Sequence, residues 1–91
     1  MKKIYSKNAQ YQKFEVLQTK RNKRYKYGEF LVEGVRNLNE AVRSGWEISS
    51  LLYTDEVPLS QWARDFLAQV KTEKNYVLTR ELMQELSRKE D

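Results

Sequence analysis

The sequence contains no cysteine and no histidine. The first absence excludes disulfides and thiolate metal sites. The second removes the usual zinc ligand and the usual general base near neutral pH. Proline occurs once, at Pro58, and the glycines are Gly28, Gly34 and Gly45, so these four residues punctuate the chain without forming a linker. No repeat or low-complexity tract is present. "MKKIYSKNAQ" opens on two lysines like a signal-peptide n-region, but no apolar stretch follows it. No apolar run approaches the roughly 20 residues that span a bilayer. A cytoplasmic chain with no membrane partner is therefore expected.

Enzyme signatures are missing as well. The glycines of "GVRNLNEAVRSG" do not take Gly-x-Gly-x-x-Gly spacing, and there is no phosphate loop ending in Gly-Lys-Ser/Thr. Without histidine or cysteine a catalytic triad would need a Ser-Lys form. Ser6 with Lys7, or Ser49 with Ser50, shows nothing specific to one. Asp55 and Glu56 sit in a turn-like stretch, "DEVP", and read as solvent-facing. No metal-ligand spacing occurs. Neither catalysis, nor a metal, nor a cofactor is expected of this chain alone.

What is present is a segregated charge. Residues 1–26 hold nine Lys or Arg against one acid, Glu15, a balance of +8; the remaining residues hold eight against twelve, a balance of −4. A surface that only needs solubility mixes its signs, whereas a cationic block points to a polyanion, most often nucleic acid. The alternative is a solvated arm, but this block is interleaved with apolar residues at helical spacing. Leu, Ile, Val and Phe make up 22 of the 91 residues, enough for one ordered domain, here taken as residues 1–91, and too short a chain for two.

A helix is predicted from an N-cap at Asn8 to a stop at Gly28, with Tyr11, Phe14 and Leu17, and Val16 as an optional member, as its apolar stripe and Lys13, Lys20 and Arg24 on one face. Then "EFLVE", residues 29–33, reads as a short buried strand between Gly28 and Gly34. A second helix places Val35, Leu38, Ala41 and Val42 on one side and ends at Gly45. Residues 48–54 read as a strand, and Ser60 caps a helix carrying Trp62, Phe66 and Val70. Residues 76–79 form a third strand, and Thr79 caps a last helix with Leu82, Met83 and Leu86 inward. Trp46, Trp62, Tyr53 and Tyr76 are assigned to core or near-core packing. Alternating helices and strands predict an α/β fold with a mainly parallel sheet covered on both faces. The closing "SRKED" is all polar and reads as a frayed tail or the start of a linker.

The chemistry that remains is RNA-like recognition. In "TKRNKRYKYGEFLVEG", residues 19–34, Arg21 and Arg24 are the strongest candidates, since guanidinium pairs bidentately with phosphate or base edges and stacks on bases. Lys20 and Lys23, with Lys13 on the same helix, are less specific phosphate contacts. Tyr25 and Tyr27 either stack unpaired bases or line the start of the strand; Tyr25 is carried as a candidate contact. Asn8 and Arg36 complete the RNA-binding candidates. Glu33 and Gly34 are read as mainly structural, Glu33 beside Arg36 or the following helix N-terminus.

Residues 6–56 resemble the N-terminal substrate-binding domain of the SpoU/TrmH-type RNA 2′-O-ribose methyltransferases. The resemblance is carried by Ser6, Lys7 and Asn8 (one residue tighter than the family spacing), by Arg21 and Arg24, by Phe30-Leu31-Val32-Glu33-Gly34, and by Ala41, Gly45 and Thr54. "LMQELSRKED" is similar to the last helix before the family's catalytic domain. The resemblance implies a three-layer α/β/α sandwich like that of a large-subunit ribosomal protein. It also implies a partner RNA, ribosomal or less readily transfer RNA, presented to a covalently linked methyltransferase domain. That linked domain, absent from these residues, would hold S-adenosylmethionine. Two other readings stay open: a stand-alone ribosomal-protein-like RNA binder, and a protein-interaction or dimerisation module.

Overall fold

The computed structural model describes residues 2–88. Three strands, β1 (Lys2–Ile4), β2 (Leu52–Tyr53) and β3 (Tyr76–Leu78), form a parallel sheet in the order β1-β3-β2. Five helices accompany them: α1 (Ala9–Thr19), α2 (Arg21–Tyr27), α3 (Val35–Arg43), α4 (Gln61–Gln69) and α5 (Arg80–Arg88). The register sets Tyr76 opposite both Lys2 and Leu52, and Val77 opposite both Lys3 and Tyr53. The α/β class and the parallel sheet expected from the sequence are both present. Residues 89–91 of the polar tail lie outside the described residues.

β3 is central, so its three residues are buried on both faces. Tyr76 and Leu78 point to the side covered by α1 and α5, where they join Ile4, Tyr11, Phe14, Leu82 and Leu86 in one apolar cluster. Tyr11 has no exposed surface, and its hydroxyl donates to the Leu82 carbonyl at 3.2 Å, which satisfies that buried polar group. The Phe14 and Tyr76 rings meet edge-to-face at 5.2 Å. Asn75 ties the sheet at its start: its Oδ1 accepts from the Leu51 N–H at 3.2 Å and from the Thr72 hydroxyl at 2.7 Å.

The predicted caps are in place. Asn8 Oδ1 accepts from the Tyr11 N–H at 2.9 Å, Ser60 Oγ from the Ala63 N–H, and Thr79 Oγ1 from the Leu82 N–H. Gly28 and Gly45 adopt positive φ where their helices stop.

Four expectations are corrected. The long first helix breaks at Lys20, whose extended backbone (φ −116°, ψ 102°) separates α1 from α2. Residues 29–33 make no ladder; the third strand of the sheet is Lys2–Ile4, which pairs with β3 and sinks Ile4 into the core. A strand with one inward apolar residue has no detectable period, so it escaped the pattern. Phe30 and Trp46, placed in the core from their type, are 51% and 54% exposed and stack edge-to-face on each other at 5.2 Å. On α3 only Ala41 is buried, while Val35 and Val42 are exposed. The reason is common to the last three: residues 28–34 stay off the sheet. A cleft of about 910 Å³ runs between this segment and the Phe14, Leu17, Met83 and Leu86 side of the core.

Candidate nucleic-acid interface

α2, "RNKRYKY", carries no buried residue. A seven-residue helix with four cations gains nothing from the hydrophobic core, so polar contacts must dock it. Two are visible. The Arg24 guanidinium donates through Nε to the Leu17 carbonyl at 2.6 Å and through Nη2 to the Gln18 carbonyl at 2.7 Å. These carbonyls lie at the C-terminal end of α1, which has no basic residue in its own last turn. Arg24 thus supplies both hydrogen bonds and positive charge at the negative end of the α1 dipole. On the other side, Lys13 Nζ lies 3.0 Å from Glu29 Oε1 and 4.9 Å from the centre of the Tyr27 ring. The Lys13 hydrogen bond, aided by one from Ser49, holds the Glu29 carboxyl below its ordinary value.

With Arg24 turned inward, exposure divides the rest of the helix. At about 100° per residue, Lys23, Arg24 and Tyr27 fall on one side of α2, and Arg21, Asn22, Tyr25 and Lys26 on the other. Burial agrees: Lys23 and Arg24 are half-buried, whereas Lys20, Arg21, Asn22 and Lys26 are exposed and Tyr25 is 83% exposed. Arg21 and Tyr25 are one turn apart, as are Asn22 and Lys26, so they form neighbouring pairs on the outward face. No acidic side chain among the described residues pairs with Lys20, Arg21 or Lys26. The outward face is therefore a cationic patch with one aromatic ring available, suited to phosphate contact and base stacking.

The structure brings Lys20, Arg21, Lys23, Arg24 and Tyr25 together at the α1–α2 bend. It does not bring in the others. Asn8 sits at the far end of α1, about 16 Å away along an eleven-residue helix, and is occupied as its cap. Lys13 is committed to Glu29 and Tyr27. Arg36 is exposed, but on the first turn of α3, beyond the 28–34 segment. The face predicted to unite Lys13, Lys20 and Arg24 is divided by the bend. Lys26, counted in the cationic run but not among the candidate contacts, belongs to the outward face; its i, i+4 relation to Asn22 would have placed it there had the break at Lys20 been known.

Residues 8–91 match the family model described as the SpoU L30e-like domain. The chain is 42% identical over 90 residues to the 23S rRNA (uridine(2479)-2'-O)-methyltransferase of Streptomyces viridochromogenes. That alignment takes in 99% of this chain and 31% of the relative, so the chain spans about a third of the relative's length. The fold superposes with a TM-score of 0.79, at 42% identity, on the crystal structure of the SpoU methyltransferase AviRb from the same organism in complex with AdoMet, covering 86% of this chain and 29% of that one. A second AviRb crystal structure gives a TM-score of 0.75 at 44% identity, over 87% of this chain and 29% of that one.

Proposed function

The chain belongs to the SpoU L30e-like domain family, and from that premise we propose that it is the RNA-binding, substrate-positioning unit of an rRNA 2′-O-ribose methyltransferase. The observation that carries the reading is the outward face of α2: Lys20, Arg21 and Lys26 unpaired by any acid among the described residues, with Tyr25 exposed between them. In this reading the cations neutralise phosphates and give a salt-dependent grip, and Tyr25 stacks on an unpaired base. Ribosomal RNA is the favoured partner because the curated relative is named for 23S rRNA; transfer RNA is second. The protein acts in the cytoplasm, where such RNA is found.

The methyl transfer belongs to a covalently linked domain, and S-adenosylmethionine supplies the methyl group there. The large cleft of this chain mixes apolar side chains with charged ones such as Glu33, Glu47, Glu73 and Lys74, and no part in holding the cofactor is assigned to it. This chain's part is to bind and orient RNA.

The test is a fluorescence anisotropy titration of a labelled RNA stem-loop with the chain and with its Lys20→Ala/Arg21→Ala variant. The variant should bind about tenfold or more weakly, at an unchanged melting temperature, since both side chains are exposed. Equal binding by the two proteins would remove α2 from the interface.

A further inference from the structure

The geometry points to Arg24 as a positioning residue that sets the angle between α1 and α2, and so aims the RNA-contacting face, instead of touching RNA through its charge. The inference rests on the RNA reading above for its consequence but not for its geometry. In an uninterrupted α-helix the carbonyls of Leu17 and Gln18 would accept from the backbone N–H groups of residues 21 and 22. Here both carbonyls accept instead from one side chain, Nε at 2.6 Å and Nη2 at 2.7 Å. The planar fork of Arg24 replaces two backbone donors at once, which a lysine's point charge cannot do. That substitution lets the chain leave helical geometry at Lys20 without orphaning the end of α1.

The bend has a directional effect. With Arg24 drawn inward, Arg21 and Tyr25 of the same short helix stay exposed. No apolar side chain of α2 is buried to hold this orientation in its place. Lys13, with Glu29 and Tyr27, restrains only the far end of α2. Arg24 is therefore the near-end brace, and its loss should leave the core folded while releasing the aim of the patch.

Two measurements on the 91-residue chain test this, each with Arg24→Ala, Arg24→Lys and Arg21→Ala. The first is the set of backbone N–H residual dipolar couplings. In the parent chain, the α1 and α2 couplings fit one rigid body at the bend seen here. In Arg24→Ala the α2 couplings should depart from that orientation while those of α1, α5 and the sheet keep it; Arg24→Lys should fall between. The second is the slope of log affinity against log salt for the labelled RNA stem-loop. Arg24→Ala should weaken binding about tenfold with the slope unchanged. Arg21→Ala should lower the slope by about 0.7 to 0.9, as a lost phosphate contact does. If Arg24→Ala keeps the parent orientation, binds as the parent does, or loses slope as Arg21→Ala does, the positioning role is overturned. Should Arg24→Ala not fold, the same comparisons are decided by Arg24→Lys. If the parent chain does not bind the RNA, the RNA reading fails, and the couplings still decide whether Arg24 sets the bend.

Discussion

Replacing Lys20, Arg21 and Lys26 together by alanine should change how RNA affinity responds to salt by an amount the structure specifies. These three cations lie on or beside the outward face of α2, exposed and without an acidic partner among the described residues. Each phosphate they neutralise releases counterion and contributes about 0.7 to 0.9 to the slope of log affinity against log salt, so three contribute about 2 to 3. Over a fourfold rise, from about 50 to about 200 mM, that share of the binding weakens by about 20- to 40-fold. The advantage of the parent chain over the triple variant should therefore be large at low salt and shrink by that factor at high salt. Lys13→Met is the control. Its ammonium is already neutralised by Glu29 at 3.0 Å, so the slope should stay at the parent value although a charge has been removed. Anisotropy titrations of one labelled RNA across the salt series read both. A triple variant with the parent slope, or a Lys13 variant whose slope drops by about one, would show that the assignment of free and committed cations is wrong.

Tyr25→Ala should cost about 1–3 kcal/mol of RNA affinity if a base stacks on the ring, with the salt slope unchanged because no charge is lost. Calorimetry should find its melting temperature unaltered, since the ring is exposed in the free protein. The Glu29 carboxyl, held below its ordinary value of 4.5 by Lys13, should contribute stability above that pH and lose it as pH falls through its lowered folded value. Urea unfolding followed from neutral to acidic pH should therefore show a shallower loss in Glu29→Gln than in the parent. Phe14→Ala should destabilise by about 3–5 kcal/mol, because its ring is buried against Tyr76 and the α1–α5 contact would be left with a cavity. Thermal or urea denaturation measures it, and a loss below about 1 kcal/mol would place Phe14 outside the core. Asn75→Ala should cost about 1–3 kcal/mol, since one oxygen serves both the Leu51 N–H and the Thr72 hydroxyl.

Much of this site was legible because short-range chemistry decides it. The caps at Asn8, Ser60 and Thr79 depend on a side-chain oxygen meeting a backbone N–H three residues on, and all three form as the spacing predicts. Tyr11, Phe14 and Leu17 repeat every third residue and are buried together. The clustering of cations near residues 20–26 is a property of composition alone. Arg24 was legible only as a charge. Nothing in "KRNKRYKY" distinguishes an arginine that meets phosphate from one that meets a carbonyl six or seven residues back. Phe30 and Trp46 were misplaced for a related reason: apolar type states a preference for burial, and the available faces are shared out by packing.

The sequence by itself determined the α/β class, the capped helix starts after Asn8, Ser60 and Thr79, the stops at Gly28 and Gly45, the cationic character of the segment after Thr19, and the absence of cysteine and histidine chemistry. Each follows from neighbouring residues or from composition, so no distant contact is needed to read it. Only the tertiary structure decided that the chain bends at Lys20, that Lys2–Ile4 joins the sheet while residues 29–33 do not, and that Lys13 and Arg24 are spent within the protein. These outcomes turn on which carbonyl, carboxylate or strand edge each group meets in space. The same positive charge is exposed to solvent on one side of a two-turn helix and hydrogen-bonded within the protein on the other.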